Sequence, residues 1–488
     1  DTTQVILIGH STGSLLVRKL FIVACGENED ARFEKIYAPF KSPRKWAHRV
    51  TRIVLFAGIN NGWTINKHLY STNAMLYRLG VFIGQLFLLF GKKPLAFKTK
   101  RGSSFVTQLR IQWLSMLRHA TEKKAGNPLV VQLLGTIDDL ISPEDNIDFL
   151  TGQNFIYLEM PYSDHINVLN FEEKMNGHLR KEVFSKAITS SRDDLLTDNV
   201  ITTDYPDKQI DKTVKEVVFV IHGIRDTAYW TRKLADRVRK VGAQNEKKFA
   251  IETSSYGYFS MLEFLLLRKR IDKMQWLVDQ YIENLALYPE ARNDFSFFGH
   301  SNGTYLFAAA LKKYPAIKFK NVVFAGSVVQ RKFDWEILKQ NGRIKNFLNI
   351  AATNDIVVGI FPKAFEKIRA IDLGAGGFDG FAGLSDNRQI KYINGGHGEG
   401  ITEKYWDEIA NFIVHGEERK DSTAFKRFSR PGFIKILGYL APIPFLLIIA
   451  IVFLLGWLLF ISLPWALVYK ILSEIVYILV VWKILTRF

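Results

Sequence analysis

Ser11 and Ser301 each sit in a Gly-His-Ser-x-Gly pattern, Gly9-His10-Ser11-Thr12-Gly13 and Gly299-His300-Ser301-Asn302-Gly303. Each pattern follows a largely apolar run and precedes a stretch that reads as the start of a helix. A serine hydroxyl is a poor nucleophile until an imidazole takes its proton, and that imidazole needs a carboxylate to hold its tautomer and stabilise its charged form. A strand, a sharp turn and a helix would carry the serine to the tip of a strained corner, with small flanking residues avoiding collision with neighbouring backbone. The following helix would aim its free N–H groups at the same point, where they stabilise an oxyanion.

Such a turn needs a sheet behind it. After Gly13 come a helical stretch, "GSLLVRKLFIVA", and short strands predicted at Arg52–Gly58, Leu129–Gly135 and Phe155–Met160. Between the first two of these strands, residues from about 60 to 108 form an insertion. Its apolar run Leu79–Phe90 is too short to cross a bilayer and fits either a buried helix or a membrane-touching lid. The second half restarts the pattern earlier, with strands in "EVVFVIHG" and "KKFAIE" and an apolar-basic helical region at Met261–Leu287. Strands near Asn321, Asn346 and Arg388 follow the second serine, and a closing helix runs near Thr402–Val414. Strands alternating with helical stretches predict an α/β fold, a mostly parallel sheet with helices on both faces. The repetition is preserved in order and motif but not in most letters.

A chain of 488 residues is too long for one ordinary core. The pattern divides it into a first domain at 1–190, a polar linker at 191–213, a second domain at 214–416, a basic segment at 417–435 and an apolar tail at 436–488. The single cysteine, Cys25, excludes an intramolecular disulfide and fits a reducing compartment. The net charge of +17 is not accompanied by a groove-reading motif, so nucleic acid is not an expected partner. Much of the excess lies beside hydrophobic stretches, in "KKPLAFKTKR", "LRKRIDK" and Arg419–Lys435, which suits anionic lipid headgroups.

Ile436–Tyr469 contains no charged residue, and Ile436–Ile461 is long enough to span a bilayer. A second apolar segment, Trp465–Trp482, carries Lys470 and Glu474 four apart, a spacing that pairs them on one helical face. That segment either returns through the membrane or lies in the interface. If it returns, basic residues flank both ends of the hairpin on one side, the cytosolic one by the positive-inside tendency.

With these elements in place, both halves resemble α/β-hydrolase domains, over roughly residues 1–190 and 215–415. Members of that family place a nucleophile elbow after the fifth strand, then the acid, then the histidine. The resemblance implies a catalytic set of Ser301, Asp355 in "TNDIVVG" and His397 in "NGGHGEG" for the second half. The "HG" loop at His222-Gly223 implies an oxyanion hole from the backbone N–H groups of Ile224 and Asn302. For the first half it implies Ser11, Asp138 in "GTIDDLI" and His165 in "YSDHINV", with the N–H of Thr12 as one oxyanion donor. Asp139 rivals Asp138, and the family's Gly-x-x-Asp spacing counted from Gly135 selects Asp138. "FAGINNG" at Phe56–Gly62 and "GSSFVTQL" from Gly102 further resemble lipase-like and esterase-like members with a lid. The first half shows neither the "HG" loop nor the strands before the elbow, and the natural chain is expected to continue upstream and supply them.

The resemblance implies two tandem serine-hydrolase domains cleaving esters or thioesters, and the apolar tail with its basic flanks adds the expectation of C-terminal transmembrane helices, domains facing the cytoplasm and lipid-like acyl substrates. The competing expectation is a membrane-tethered scaffold in which one or both domains bind a lipid or partner without turnover. No cofactor is expected, because no metal-ligand cluster has suitable spacing. His10 and His300 read as packed or solvent-facing, and His222 as holding its loop. Arg225 and Asp226 read either as an ion pair fixing that loop or as substrate contacts, while Tyr256, Tyr258 and Phe259 either line a pocket or pack.

Overall fold

Among the described residues, four parallel strands carry the first serine turn and six carry the second. The computed structural model describes residues 2–62, 98–123, 127–136, 155–197, 210–224, 229–245, 247–253, 261–291, 294–382, 390–419, 425, 428–462 and 467–487. The run Leu79–Phe90 and residues Asp138, Asp139, Arg225, Asp226, Tyr256, Tyr258 and Phe259 lie outside the described residues. The chain divides into two compact units. Unit 1 is Asp1–Asp211 with Tyr281–Pro289 and Lys313–Ile317, and unit 2 is Lys212–Gln280 with Glu290–Lys312 and Lys318–Phe488.

In unit 1 the order is β1 (Val5–His10), α1 (Gly13–Cys25), β2 (Val50–Phe56), α2 (Ser104–Lys123), β3 (Leu129–Gly135), β4 (Phe155–Met160), α3 (Gly177–Thr189) and α4 (Arg192–Thr197). The strands pair β1-β2-β3-β4, every pair parallel. Side chains alternate across a strand, so β2 feeds two cores. Ile53 and Leu55 join Leu15 and Phe21 of α1 and Trp113 of α2, while Val54 and Phe56 join Val168, Ala187 of α3 and Leu195 of α4. Among the described residues β1 is the outermost strand of this sheet, with Ile6 and Ile8 exposed. The segment read as a polar linker opens with α4, because Ser191 caps it. The Ser191 hydroxyl accepts from Asp194 N at 3.2 Å and donates to Asp194 Oδ2 at 2.6 Å.

Unit 2 runs β5 (Glu216–Ile221), α5 (Tyr229–Ala243), β6 (Phe249–Glu252), α6 (Met261–Leu265), α7 (Leu267–Leu287), β7 (Phe295–His300), α8 (Asn302–Lys313), β8 (Phe319–Ala325), α9 (Trp335–Gln340), β9 (Ile344–Ala352), α10 (Ile356–Ile368), α11 (Gly376–Asp379), β10 (Ile390–Ile393) and α12 (Trp406–His415). Its all-parallel sheet has the order β10-β9-β8-β7-β5-β6. Strands β5 and β7 are buried along their whole length, as mostly apolar strands inside a parallel sheet should be. One face packs on Leu234 and Val238 of α5 and on Ile409 and Ile413 of α12. The other is aromatic, with Phe297 lying 4.2 Å from Phe307 and 5.8 Å from Phe319 between ring centroids.

Three further helices close the chain: α13 (Gly432–Tyr439), α14 (Pro442–Ser462) and α15 (Leu467–Arg487). The apolar span expected from Ile436 begins instead at Pro442. Proline lacks the N–H that would continue α13 and turns the preceding residue away from helical geometry, yet it suits the first position of a new helix. Among the described residues, α14 is the one helix long and apolar enough to cross a membrane. It packs antiparallel on α15. Lys470 Nζ lies 5.7 Å from the Phe460 ring centroid near the turn, and farther along the Tyr477 hydroxyl donates to the Val452 carbonyl at 2.5 Å. At its root, Phe445 stacks edge-on against Phe361 and Phe365 of α10, at 6.2 and 4.9 Å.

Burial against the α1–α2 core pushes the Cys25 thiol up to about 12. At pH 8 only about one part in 10⁴ is then thiolate, the reactive form. Cys25 should therefore resist iodoacetamide in the native protein and react readily in denaturant, as mass spectrometry of the alkylated chain would read out. Rapid native alkylation would contradict this packing.

Candidate active site

Both serines stand at positive φ, 51° for Ser11 and 50° for Ser301. A non-glycine residue there stores about 1–3 kcal/mol of strain. The same two contacts hold both corners. Ser11 N donates to Phe56 O at 2.9 Å and Ser301 N to Ala325 O at 3.1 Å, so each turn hangs on the next strand. Three residues on, Ser14 Oγ donates to Ser11 O and Thr304 Oγ1 to Ser301 O, both at 2.6 Å, starting α1 and α8. The glycine after the second turn is required by space: a Cβ on Gly303 would stand 2.6 Å from the Ile221 carbonyl of β5.

The histidines complete different links in the two units. In unit 1 the Ser11 hydroxyl lies 2.8 Å from His165 Nε2, in line to donate its proton. Its expected acid, Asp138, lies outside the described residues. In unit 2, His397 Nδ1 donates to Asp355 Oδ2 at 2.9 Å, which fixes the tautomer that leaves Nε2 as the base. Asp355 is fully buried, and its other oxygen accepts from Val358 N at 3.0 Å as the N-cap of α10. Among the described residues, no hydrogen bond joins Ser301 Oγ to His397. The His397 ring rests on Gly326, where a Cβ would be 2.9 Å from its Cε1.

Two of the oxyanion donors expected from sequence stand at helix starts. Thr12 is the N-cap residue of α1 and Asn302 opens α8. The loop after β5 passes over Ser301 so closely that a Cβ on Gly223 would be 2.8 Å from the Ser301 Cβ. His222 Nδ1 donates to the Gly223 carbonyl at 2.7 Å. Because a trans peptide points its C=O and N–H in opposite directions, anchoring that carbonyl also fixes the direction of the Ile224 N–H.

His10 and His300, read from sequence as packed or solvent-facing, carry a shared role. His10 Nε2 donates to the backbone carbonyl of His165 at 2.8 Å, and His300 Nε2 to that of His397 at 3.2 Å. The ring planes meet at 44° in both pairs, with centroids 5.4 and 4.9 Å apart. In each unit, the residue before the serine therefore holds the loop of the histidine that would serve it. The partners are 155 and 97 residues apart, so no local spacing announces them. The only available signal was the shared His in the two elbows.

The strand ends also match. Thr136 N donates to Met160 O at 3.3 Å after β3, as Thr353 N donates to Ile393 O at 2.9 Å after β9. Counted along the chain, Asp138 follows Thr136 at the interval by which Asp355 follows Thr353.

No protein-family model matches the chain, and no curated protein matches it in sequence. Several solved structures resemble part of it, two of them as follows. The product of the lin2722 gene of Listeria innocua is 15% identical and is matched over 42% of this chain and 96% of its own, with a TM-score of 0.26. An extracellular alpha/beta-hydrolase from a Paenibacillus species, with structural and functional homology to tobacco salicylic acid binding protein 2, is 16% identical. It is matched over 42% of this chain and 100% of its own, with a TM-score of 0.23.

Replacing His300 tests its positioning role. His300→Phe removes the donor, and the rate at which a fluorophosphonate labels Ser301 should fall about 10- to 100-fold with little change in concentration dependence. His300→Gln keeps an N–H donor and should recover most of that rate. A folded Phe variant, checked by circular dichroism, that labels at the wild-type rate would remove the role.

Proposed function

We propose that the chain is a membrane-anchored serine hydrolase built from two tandem α/β-hydrolase domains, cleaving ester or thioester bonds of lipid-like acyl substrates. The observation that carries this reading is the pair of serines at positive φ, each on a strand-to-helix corner, with His165 on Ser11 and His397 on Asp355 at hydrogen-bonding distance. The register of Asp138 with Asp355 supports Asp138 over Asp139 as the acid of the first site.

The chemistry follows from these groups. The Ser301 oxygen attacks the acyl carbon while its proton passes to His397 Nε2, and Asp355 stabilises the imidazolium. The N–H groups of Ile224 and Asn302 take the charge of the tetrahedral oxyanion. Collapse expels the alcohol or thiol, which leaves with the proton from His397, and an acyl-serine remains. Water then attacks that ester with His397 again as base, releasing the acid and restoring the serine. Ser11, His165, Asp138 and the Thr12 N–H play the same parts in unit 1. The apolar α14 and the basic stretches beside hydrophobic segments favour a substrate and partner in the membrane, with anionic headgroups outside and the domains on the cytoplasmic side. No step calls on a metal or cofactor.

A second reading, a tethered scaffold with one silent domain, draws on the open Ser301–His397 link. Fluorophosphonate labelling of the full chain in membranes separates the two. We expect labelling that drops in Ser11→Ala and in Ser301→Ala and is lost, by at least about 10³-fold in rate, in the double variant. Dependence on one serine would make the other domain the silent one, and no labelling of the wild type would overturn the hydrolase reading.

A further inference from the structure

Helix α13 has two apolar sides. Its inner side, Ile434 and Gly438, is buried, and a Cβ on Gly438 would meet the Phe378 ring at 2.7 Å. Its outer side presents Phe433 at 69%, Ile436 at 61% and Tyr439 at 74% exposure. Lys435 lies among them, also exposed. The helix is fixed in place by cations. Lys367 of α10 reaches the Tyr439 carbonyl and lies 4.8 Å from its ring, and Arg430 lies 3.6 Å over Phe378.

The neighbouring helix continues this surface. On α10, Val357, Phe361, Phe365 and Ile368 recur at intervals of four, four and three, forming one stripe. Phe445 of α14 covers the middle two, and Val357 and Ile368 remain exposed at each end. The exposed apolar surface is thus continuous with the root of α14 and rimmed by Lys367, Arg369 and Lys435. A contiguous apolar patch of this kind marks an interaction site. Here its continuity with a helix able to cross a membrane, together with its cationic rim, identifies the occupant.

We propose that the α10–α13 face is a bilayer-contact surface, with α13 lying in the headgroup–acyl boundary of an anionic membrane. This rests on the reading of α14 as a membrane span. A helix with an apolar outer side flanked by lysines binds in that way, by buried area plus attraction to anionic lipid. Val357 is two residues from Asp355, about 3 Å along the helix axis, so the contact surface ends beside the candidate site acid. Site 2 is thereby held at the membrane surface, where an acyl substrate resides.

The test uses the full chain with Cys25→Ala, reconstituted in phosphatidylcholine vesicles with about 20 mol % phosphatidylserine. An environment-sensitive fluorophore is attached at Val357→Cys, Phe433→Cys or Tyr439→Cys, with Leu454→Cys in α14 and Lys240→Cys on α5 as references. We expect the labels at 357, 433 and 439 to be blue-shifted and quenched by brominated acyl chains, less deeply than 454, while 240 stays polar and unquenched. Labels at 433 and 439 that behave like 240 while 454 is quenched would overturn the contact surface. A polar label at 454 would overturn both it and the anchor. Quenching at 240 equal to that at 433 would also overturn it, as unspecific adsorption. The readout needs no turnover, so failure of serine labelling would strike the hydrolase reading alone.

Discussion

One backbone hydrogen bond organises each candidate site: the serine N–H on the last carbonyl of the adjacent strand, Ser11 on Phe56 and Ser301 on Ala325. It holds a residue at a dihedral that the serine would not otherwise choose, and it fixes the hydroxyl relative to the sheet. Everything else is arranged around that fixed point. In unit 2 Gly303 clears space for β5 to pass, and in both units the histidine before the serine reaches across to hold the loop of the candidate base. Because the same contacts recur in both units, the repetition lies in hydrogen-bond pattern far more than in letters.

Much of this was legible in sequence where a residue type has one physical use. Leu129–Gly135 and Phe155–Met160 were read to the residue, since a mostly apolar run of six or seven residues between polar punctuation has the length of a buried strand and not of a helix. The serine corners were legible because a Gly-x-Ser-x-Gly turn is a steric solution before it is a chemical one. The expected span was misplaced by six residues at its start, 436 against 442, because hydropathy does not register that Pro442 can begin a helix but not continue one.

The roles of His10 and His300 were beyond local reading. Their partners are main-chain carbonyls, which have no signature in side-chain pattern, and the link appears only once a loop far along the sequence folds back. The acid of unit 1 rests on spacing alone, counted from Gly135 and again from Thr136.

Asp355 gives one carboxylate oxygen to the start of α10 and the other to an imidazole. Selection on that residue therefore has two sources. A domain that had ceased to turn over would still be penalised for losing the aspartate, through an uncapped helix, so an aspartate retained at this position says little about activity. The serine is the reverse case. At φ of 50° a glycine would sit more comfortably than any side chain, and among the described residues no hydrogen bond holds the Ser301 hydroxyl. Across descendants of this chain, drift of that one position toward glycine would be the mark of a domain kept for its shape, and a persistent serine the mark of one kept for its chemistry.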